Sequence, residues 1–504
     1  MNKKMNPYER CRFHGRAGFW AVVAMLVLAP AHLPAQTMTL DEVIAEARAN
    51  SVAALSARAT FVSDYWAYRS YKASRLPSLA IYGNLASFDR SLRQLQNFET
   101  GEVVYTENYN MQNSLGLLVT QNVTFTGGTV SLYSDLSRID QFGGQRHQTW
   151  YAQPISFSYS QPIFAYNQFK WDRKISPKEY ERAKRAYIES MESITIDAAK
   201  YYFELLLAKR NHEKSRTNFE NTRMMLSVAR MRVGLGSVTR DEYLQLELGM
   251  LNDSIRINET AVKVREAQMM LNSLLGYDET CEISPVLDDR LPDVWMDYDM
   301  VMGKALENSS FLLENEIKTL TAESGIARAK AERGASVSFN ARFGLTNSAE
   351  AFRETYRNLL DQEVLGLSFT IPIFDWGQGE GRVKKAKARA EVVKAEVEQA
   401  ENDFRRNVFT AVGQFNNQKQ QCGVSRRASE IGLERYNLVM DKFRSGNASV
   451  MELNTARQEY DEAMDRYVND MNTFWSLYYD IRKTTLYDFI AGKDIDVDFD
   501  ELIK

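Results

Sequence analysis

Ser160-Gln161-Pro162-Ile163-Phe164 ends one β-type segment of this 504-residue chain, and Thr370-Ile371-Pro372-Ile373-Phe374 ends a second one. Both stretches contain a proline followed by an isoleucine and a phenylalanine, and a long run with helical spacing comes after each of them. Because the same stretch occurs twice, the sequence indicates that a large unit of the chain is duplicated.

Two further pairs of similar stretches occur in the same order. Residues 40–51 resemble residues 298–309, and residues 234–238 resemble residues 446–450. The first of these pairs is displaced by about 258 residues, the proline-containing pair by about 210 and the last pair by about 212. The first copy therefore holds roughly 48 extra residues between Phe88 and Pro162. The duplication predicts a pseudo-symmetric architecture whose copies differ mainly in loops or added strands.

The predicted domains follow from this duplication. They are, in chain order, a signal peptide at residues 1–35, a first structural repeat at 36–290 (a helix, strands over about 77–163 and a long helical hairpin over about 175–275), a second repeat at 291–490 (a helix, strands over about 336–373 and a hairpin over about 378–487), and a solvated acidic tail at 491–504.

The N-terminal residues are typical of a secretory signal. Five basic residues (Lys3, Lys4, Arg10, Arg12 and Arg16) flank an apolar core over residues 18–29, which is too short to span a bilayer. We expect cleavage near Ala35. Removing residues 1–35 takes five of the 62 basic and one of the 66 acidic side chains, which leaves a formal charge of −8. This acidic balance argues against nucleic acid as a partner.

Catalytic and metal-binding groupings are not evident in the sequence. After residue 35 the chain keeps two cysteines, Cys281 and Cys422, and two histidines, His147 and His212, and their separations fit neither a disulfide framework nor a zinc site. The glycines at residues 377–381 have the wrong spacing for a dinucleotide fingerprint. The sequence therefore predicts no enzyme, no cofactor and no resident metal.

The β-type segments alternate with a period of two. Apolar residues such as Leu79, Ile81, Phe157 and Phe343 alternate with small or polar residues over residues 78–88, 130–137, 155–160, 336–345 and 365–371. A membrane β-barrel requires an apolar outer face and a polar inner face, but a half-buried soluble sheet gives the same pattern. No later run is apolar and long enough for a membrane-spanning helix.

The helical segments are long and carry heptad seams. A capping box at Ser176-Pro177-Lys178-Glu179 predicts the start of a helix of some 55 residues, roughly 80 Å long. Gly234 and Gly446 are suited to helix ends, and new capping boxes follow at Thr239 and Ser449. The sequence thus predicts two antiparallel helical hairpins with coiled-coil packing. A few strands per chain cannot close a barrel alone, so we expect a cyclic homo-oligomer.

These features together resemble the TolC family of outer-membrane efflux proteins. The residues that carry the resemblance are Leu40-Asp41-Glu42 and its copy, residues 365–374 leading to Gly377, and Phe443-Arg444-Ser445-Gly446 with Ser449. With the duplication they cover most of residues 37–490. The resemblance implies an α+β membrane protein that forms a homotrimer, with a β-barrel of about four strands per protomer in the outer membrane and an α-helical barrel across the periplasm. It also implies a periplasmic adaptor and an inner-membrane pump as partners.

The resemblance also implies a periplasmic gate and adaptor-contact tips. The family's acidic gate positions, one helical turn apart, match Glu452 and Thr455 here, so the second position departs from the acidic pattern. Three Glu452 side chains around a three-fold axis would attract cations, although Glu452 is also the N3 residue of a capping box. The tip residues Gly234, Ser237, Gly446 and Ser449 are candidates for adaptor contact; turn formation alone would also explain them.

Two other functional classes remain open at this point. A periplasmic adaptor also contains long helical hairpins, but it would need a small β domain split around a single hairpin. An enzyme or adhesin with a soluble sheet is the other alternative. The transported substrate and the class of pump are not apparent from the residues.

Overall fold

The computed structural model describes residues 36–96, 101, 103–143, 146–234, 239–287, 290–445 and 447–504. The predicted signal peptide lies outside the described residues. The helices are α1 (Leu40–Asn50), α2 (Val52–Ala73), α3 (Gln168–Gly234), α4 (Arg240–Leu275), α5 (Tyr298–Asn308), α6 (Phe311–Arg333), α7 (Gln378–Arg444), α8 (Val450–Thr485) and α9 (Phe499–Ile503). The strands are β1 (Gln36–Met38), β2 (Ser78–Gln96), β3 (Val103–Val123), β4 (Gly128–Gln141), β5 (His147–Ile163), β6 (Ile283–Pro285), β7 (Ser336–Ala349), β8 (Leu360–Thr370), β9 (Tyr487–Asp488) and β10 (Lys493–Asp494).

The element order repeats along the chain. Two shorter helices, a set of strands and two long helices occur once in α1 to α4 and again in α5 to α8. The helix lengths repeat as well, with 67 residues in both α3 and α7, 36 in both α4 and α8 and 11 in both α1 and α5. The two copies therefore differ mainly in their strands.

The first copy has four strands between its shorter and longer helices, whereas the second copy has two. Together they form one antiparallel sheet in the order β2-β3-β4-β5-β7-β8. The expected count of about four strands is therefore too low for this sheet. The extra residues of the first copy form two further strands, because they continue the apolar–polar alternation that allows a segment to join a sheet.

Each copy interrupts its first helical segment at a serine, which the sequence analysis did not predict. Ser51 and Ser309 are extended, with ψ values of 147° and 158°. Ser51 Oγ accepts a hydrogen bond from the backbone N–H of Ala54 at 3.0 Å. Ser51 thus ends α1 and also caps α2, since a serine hydroxyl satisfies a donor that the first turn of a helix leaves unpaired.

Helix α3 begins earlier than the capping box at Ser176 predicts. It starts at Gln168 and contains Pro177 in its interior. The Asn167 side-chain oxygen accepts a hydrogen bond from the backbone N–H of Lys170 at 3.1 Å, so Asn167 acts as the capping residue.

The chain divides into two compact units, and the division falls within α2, α3, α6 and α7. The first unit contains the described residues up to Val62 together with Ala183–Phe311 and Glu401–Lys504, and the second contains Ser63–Arg182 and Leu312–Ala400. The first unit is helical, and its core includes Phe415 of α7 and Phe474 of α8, whose rings lie 5.0 Å apart. The second unit holds the six-stranded sheet.

A buried ionic cluster also stabilises the first unit. The fully buried Glu192 of α3 accepts a hydrogen bond from Arg48 of α1 at 2.9 Å and pairs with Arg482 of α8 at 3.1 Å. Arg482 also pairs with Asp488 at 3.2 Å. Burying a carboxylate is costly unless it is paired, so the two arginines determine how these three helices pack.

The C-terminal residues belong to the first unit, and some of them contact its helices although most of their acidic side chains are exposed. The ring of Phe499 in α9 lies 5.0 Å from that of Phe61 and 6.2 Å from that of Tyr187. Asp494 accepts hydrogen bonds from Asn308 at 2.8 Å and Lys304 at 3.2 Å. Phe499 is apolar within this acidic segment, and the partial burial of its ring removes aromatic surface from water.

Candidate functional site

The sheet has one apolar face and one polar face. A row of paired residues on the apolar face runs through Leu79, Val119, Leu132, Phe157 and Phe343 on five successive strands. The next row, on the opposite face, runs through Ser78, Thr120, Ser131, Ser158 and Arg342. The structure therefore places the alternating residues predicted from the sequence on two distinct faces.

The apolar face is exposed in the single chain. Leu79 is 71% exposed, Ile81 73%, Leu365 65% and Leu367 64%. A soluble half-buried sheet would cover such side chains with helices or with a second sheet. A large exposed apolar surface instead indicates a site of interaction with protein or lipid.

Exposed aromatic residues lie where strands give way to helices or to the β3–β4 turn. Phe125 is 83% exposed, Phe164 75%, Phe374 70% and Trp376 89%. Phe164 and Trp376 both have positive φ, at 63° and 57°, a conformation that is uncommon outside glycine. The corner between the last strand and the first long helix of each repeat thus presents an exposed aromatic ring. No helix in the described ranges is sufficiently long and apolar to cross a bilayer.

Residues 235–239 separate α3 from α4, and residues 445–449 separate α7 from α8. Gly234 is the last residue of α3, and Thr239 caps α4 through a capping box with Glu242. Ser449 caps α8 in the same way: the backbone N–H of Ser449 donates to Glu452 Oε2 at 2.7 Å, and the backbone N–H of Glu452 donates to Ser449 Oγ at 3.2 Å. The candidate tip residues Ser237 and Gly446 lie outside the described residues.

Glu452 and Thr455 occupy one exposed face of the first two turns of α8. The intervening Leu453 and the following Ala456 are buried, with 5% and 0% exposure. Hydrogen bonds from the Ser449 backbone N–H and, secondarily, from its hydroxyl lower the pKa of the Glu452 carboxyl. Glu452 is therefore a charged cap at neutral pH. The structure brings the two predicted gate residues onto the same face, and their role in a gate stays a prediction.

A charged group between α3 and α8 was not identified from the sequence. Lys214 of α3 pairs with Asp465 of α8 at 2.7 Å. One turn before Asp465, burial raises the pKa of Asp461, while Lys214 and Arg457 oppose the shift. Lys214 and Asp465 are 251 positions apart in the chain, so no local motif could have predicted their contact.

Helix α7 is likewise joined to α8, and α3 to α4, by polar contacts. Arg435 forms an ion pair with Glu459 across the second hairpin. In the first hairpin, Thr222 donates a hydrogen bond to Asp253 at 2.7 Å. These contacts hold each hairpin together close to the turns. Within the described part of the chain, no cluster of His, Cys, Asp and Glu is arranged to hold a metal ion.

The comparisons with known proteins agree on one kind of protein. Residues 301–473 match the family model described as "Outer membrane efflux protein". No curated protein matches the sequence.

Solved structures match almost the whole chain at low sequence identity. The outer membrane protein VceC from Vibrio cholerae is 14% identical, with a TM-score of 0.62 over 91% of this chain and 97% of that one. The CmeC outer membrane channel of Campylobacter jejuni is 15% identical, with a TM-score of 0.63 over 92% of this chain and 88% of that one. The MtrE outer membrane channel of Neisseria gonorrhoeae is 15% identical, with a TM-score of 0.58 over 91% of each chain.

These matches confirm the resemblance to the TolC family that the duplication and its motifs indicated. Residues 301–473 match the family model of outer membrane efflux proteins, and the chain as a whole has the fold of the solved outer-membrane channels.

Proposed function

We propose that this protein is an outer-membrane exit duct of a tripartite efflux or type I secretion system in a Gram-negative bacterium. It conducts substrates passively from the periplasm to the exterior. The observation that carries the proposal is the exposed apolar face of the sheet, which is continuous over successive strands and lies opposite a polar face. Lipid on one side and water on the other require this arrangement.

In the proposed assembly, three protomers close their sheets into one β-barrel in the outer membrane. A single open sheet would expose unpaired backbone groups to lipid, whereas a ring of protomers pairs these groups through hydrogen bonds between neighbouring edge strands. The exposed rings of Phe125, Phe164, Phe374 and Trp376 suit the periplasmic interface of the outer membrane, because aromatic side chains are enriched at membrane interfaces. These rings therefore give the level at which the sheet leaves the membrane.

The long helical hairpins form the periplasmic part of the proposed duct. Each protomer supplies two hairpins of similar length, one from each repeat, so three protomers give six hairpins around the axis. Helices of this length pack side by side as coiled coils. The duct itself carries out no chemistry, and an inner-membrane pump supplies the energy.

The turns of the hairpins contact the periplasmic adaptor in this proposal. Gly234 ends α3 and Ser449 caps α8, and in the sequence Ser237 lies between α3 and α4 and Gly446 between α7 and α8. Glu452 and Thr455 follow in the first turns of α8. A ring of three Glu452 carboxylates would attract cations to the constriction. The sheet and the two hairpins do not favour the alternative of an adaptor built around one hairpin.

Reconstitution tests the proposed duct. The full chain, purified in detergent, is expected to migrate as a trimer on an unheated gel and as a monomer after boiling, and to form conducting pores in planar bilayers. A detergent-free soluble monomer without conductance would contradict the proposal.

Photo-cross-linking in intact cells tests the tips. A photoreactive residue at Ser237 or Gly446 is expected to capture a periplasmic adaptor. The same residue at Ser227, an exposed position on α3, serves as the control and is expected to capture none. Equal capture at all three positions would remove the tips as the contact site.

A further inference from the structure

Strands β3 and β4 have no counterpart in the second copy. In the second copy, β7 follows α6 and leads directly to β8, after which α7 begins. In the first copy, β2 follows α2 and β5 precedes α3, but β3 and β4 are inserted between them. The inserted hairpin could be an external decoration or a part of the sheet wall.

The pairing pattern places the inserted hairpin in the wall. Strand β3 pairs with β2 along nearly its whole length, from Ser78 with Thr120 to Gln96 with Val103. Strand β4 pairs with β3 on one side and with β5 on the other. A hairpin that only decorated the outer end would leave β2 and β5 paired with each other near the helices.

The β3–β4 turn is tied to the helix corners on both sides. Toward α2, the Gln121 side chain donates a hydrogen bond to the carbonyl oxygen of Arg75 at 2.9 Å. Toward α3, the Asn167 side chain donates to the carbonyl oxygen of Phe125 at 3.1 Å. Gln161 of β5 donates to the carbonyl oxygen of Thr126 at 3.1 Å. The turn therefore lies at the same end of the sheet as these helix corners.

The inserted strand also continues both faces of the sheet. Leu115 and Leu117 of β3 are 59% and 49% exposed, and Leu117 is paired with the exposed Ile81 of β2. On the polar face, the Tyr82 ring lies so close to Gly116 that a Cβ at Gly116 would be 2.5 Å from it. The apolar face is therefore continuous across β2 and β3.

The two edges of the sheet are suited to join one another. In the described residues, β2 and β8 each pair with one strand only. All neighbouring strands are antiparallel, and six is an even number, so β2 and β8 run in opposite directions. Strand β8 of one protomer can therefore pair antiparallel with β2 of the next protomer in a closed ring.

We infer that β8 of each protomer pairs with β2 of the next protomer. The inserted hairpin then belongs to the membrane wall, and three protomers close a barrel of eighteen strands. This inference rests on the proposed trimeric duct. Because the diameter of a barrel grows roughly linearly with strand number, the lumen is about one and a half times as wide as that of a twelve-stranded barrel.

Cysteine accessibility in intact outer membranes tests the inference. The full chain carries Leu117→Cys on β3 or Leu132→Cys on β4, and Phe343→Cys on β7 is the matched control because β7 lies in the wall for either strand count. The probe is a charged, water-soluble maleimide, and the unsubstituted protein gives the background from the buried Cys281 and Cys422. We expect all three introduced thiols to be protected and to react only after detergent extraction.

The other outcomes separate the inference from the duct. If Phe343→Cys is protected while either Leu117→Cys or Leu132→Cys reacts, the inserted strands lie in water and the eighteen-stranded wall is wrong, but the duct stands. If Phe343→Cys also reacts, the membrane placement itself is wrong. Should a variant not assemble, electron cryo-microscopy of the unsubstituted trimer counts the strands directly: eighteen supports the inference and twelve overturns it.

Discussion

Glu192 of α3 and Arg482 of α8 form an ion pair at 3.1 Å between helices of different repeats. The Glu192 side chain has no exposed surface, and Arg48 at 2.9 Å is its second cationic partner. This carboxylate therefore links α1, α3 and α8 at one point. Its position is fixed by the two arginines, since a buried carboxylate without partners would be strongly destabilising.

We expect Glu192→Gln to lower the free energy of unfolding by about 3 kcal/mol, because it removes the counter-charge of the partly buried Arg48 and one of the two counter-charges of Arg482. The measurement is thermal or chemical unfolding of the purified protein followed by circular dichroism. Glu220→Gln on the same helix is the control, because its pair with Arg223 is 3.8 Å long and exposed. Equal effects of the two substitutions would show that Glu192 is not a structural charge.

The Lys214–Asp465 pair between α3 and α8 is expected to contribute much less. Both side chains are partly exposed, at 27% and 30%, so a double-mutant cycle with Lys214→Ala and Asp465→Ala should give a coupling energy of about 0.5 kcal/mol. Raising the salt concentration should reduce it, since screening weakens exposed pairs. A coupling that is zero at low salt would contradict the contact.

Substitutions at Glu452 separate a gate from a cap. Glu452→Gln removes the charge but keeps a side chain that can accept the hydrogen bond from Ser449, whereas Glu452→Ala removes both. We expect Glu452→Gln to weaken the block of single-channel conductance by divalent cations while it keeps a hydrogen bond of the cap. Unchanged block in this variant would remove the gate role and leave Glu452 as a cap.

The same residue predicts a pH dependence. The pKa of Glu452 is lower in the folded chain than in the unfolded one, so the stabilisation is fully present above the unfolded pKa and is lost as the pH falls through the lowered folded pKa. Unfolding midpoints of the wild type and Glu452→Ala are therefore expected to converge at acidic pH. A difference that widens at low pH would contradict this sign.

Cys422 is expected to be inert while the chain is folded. Burial, with a smaller contribution from Asp470, raises the pKa of its thiol to about 11, and the thiolate is the reactive form. Iodoacetamide at pH 8 should therefore modify Cys422 only after denaturant is added, as measured by mass spectrometry. Rapid labelling of the native protein would show that α7 and α8 separate at this level.

The ends of α4 and α8 differ between the two copies. Gly276 follows α4 with φ 71°, whereas Leu486 follows α8 with φ 49° and is only 3% exposed. We expect Leu486→Gly to relieve the left-handed strain but to lose more through the cavity, with a net destabilisation of about 2 kcal/mol in thermal unfolding. A stabilised Leu486→Gly variant would show that packing does not hold this residue.

Local patterns predicted part of this fold well. The period of two placed Leu79, Leu132, Phe157 and Phe343 on one face, because alternation depends only on the strand itself. The same local reasoning placed capping boxes at Thr239 and Ser449, where the structure has them.

Other parts depend on contacts that a local pattern does not contain. Asn167 caps α3 before the capping-box motif at Ser176, because an asparagine oxygen in reach of the free N–H groups competes equally well. The strand count depended on whether the inserted residues paired or looped out. Lys214 with Asp465 and Glu192 with Arg482 join distant segments, so only the folded chain reveals them.

The inserted β3–β4 hairpin has a consequence for how such a protein can change in size. One additional strand would bring the chain to the opposite end of the sheet, and α3 would then begin on the wrong side. Two strands return the chain to the end where it left, so the following helix keeps its starting point. Descendants of a duplicated chain can therefore change in bore only by whole hairpins, and a deletion of residues from β3 through β4 is the natural reverse step.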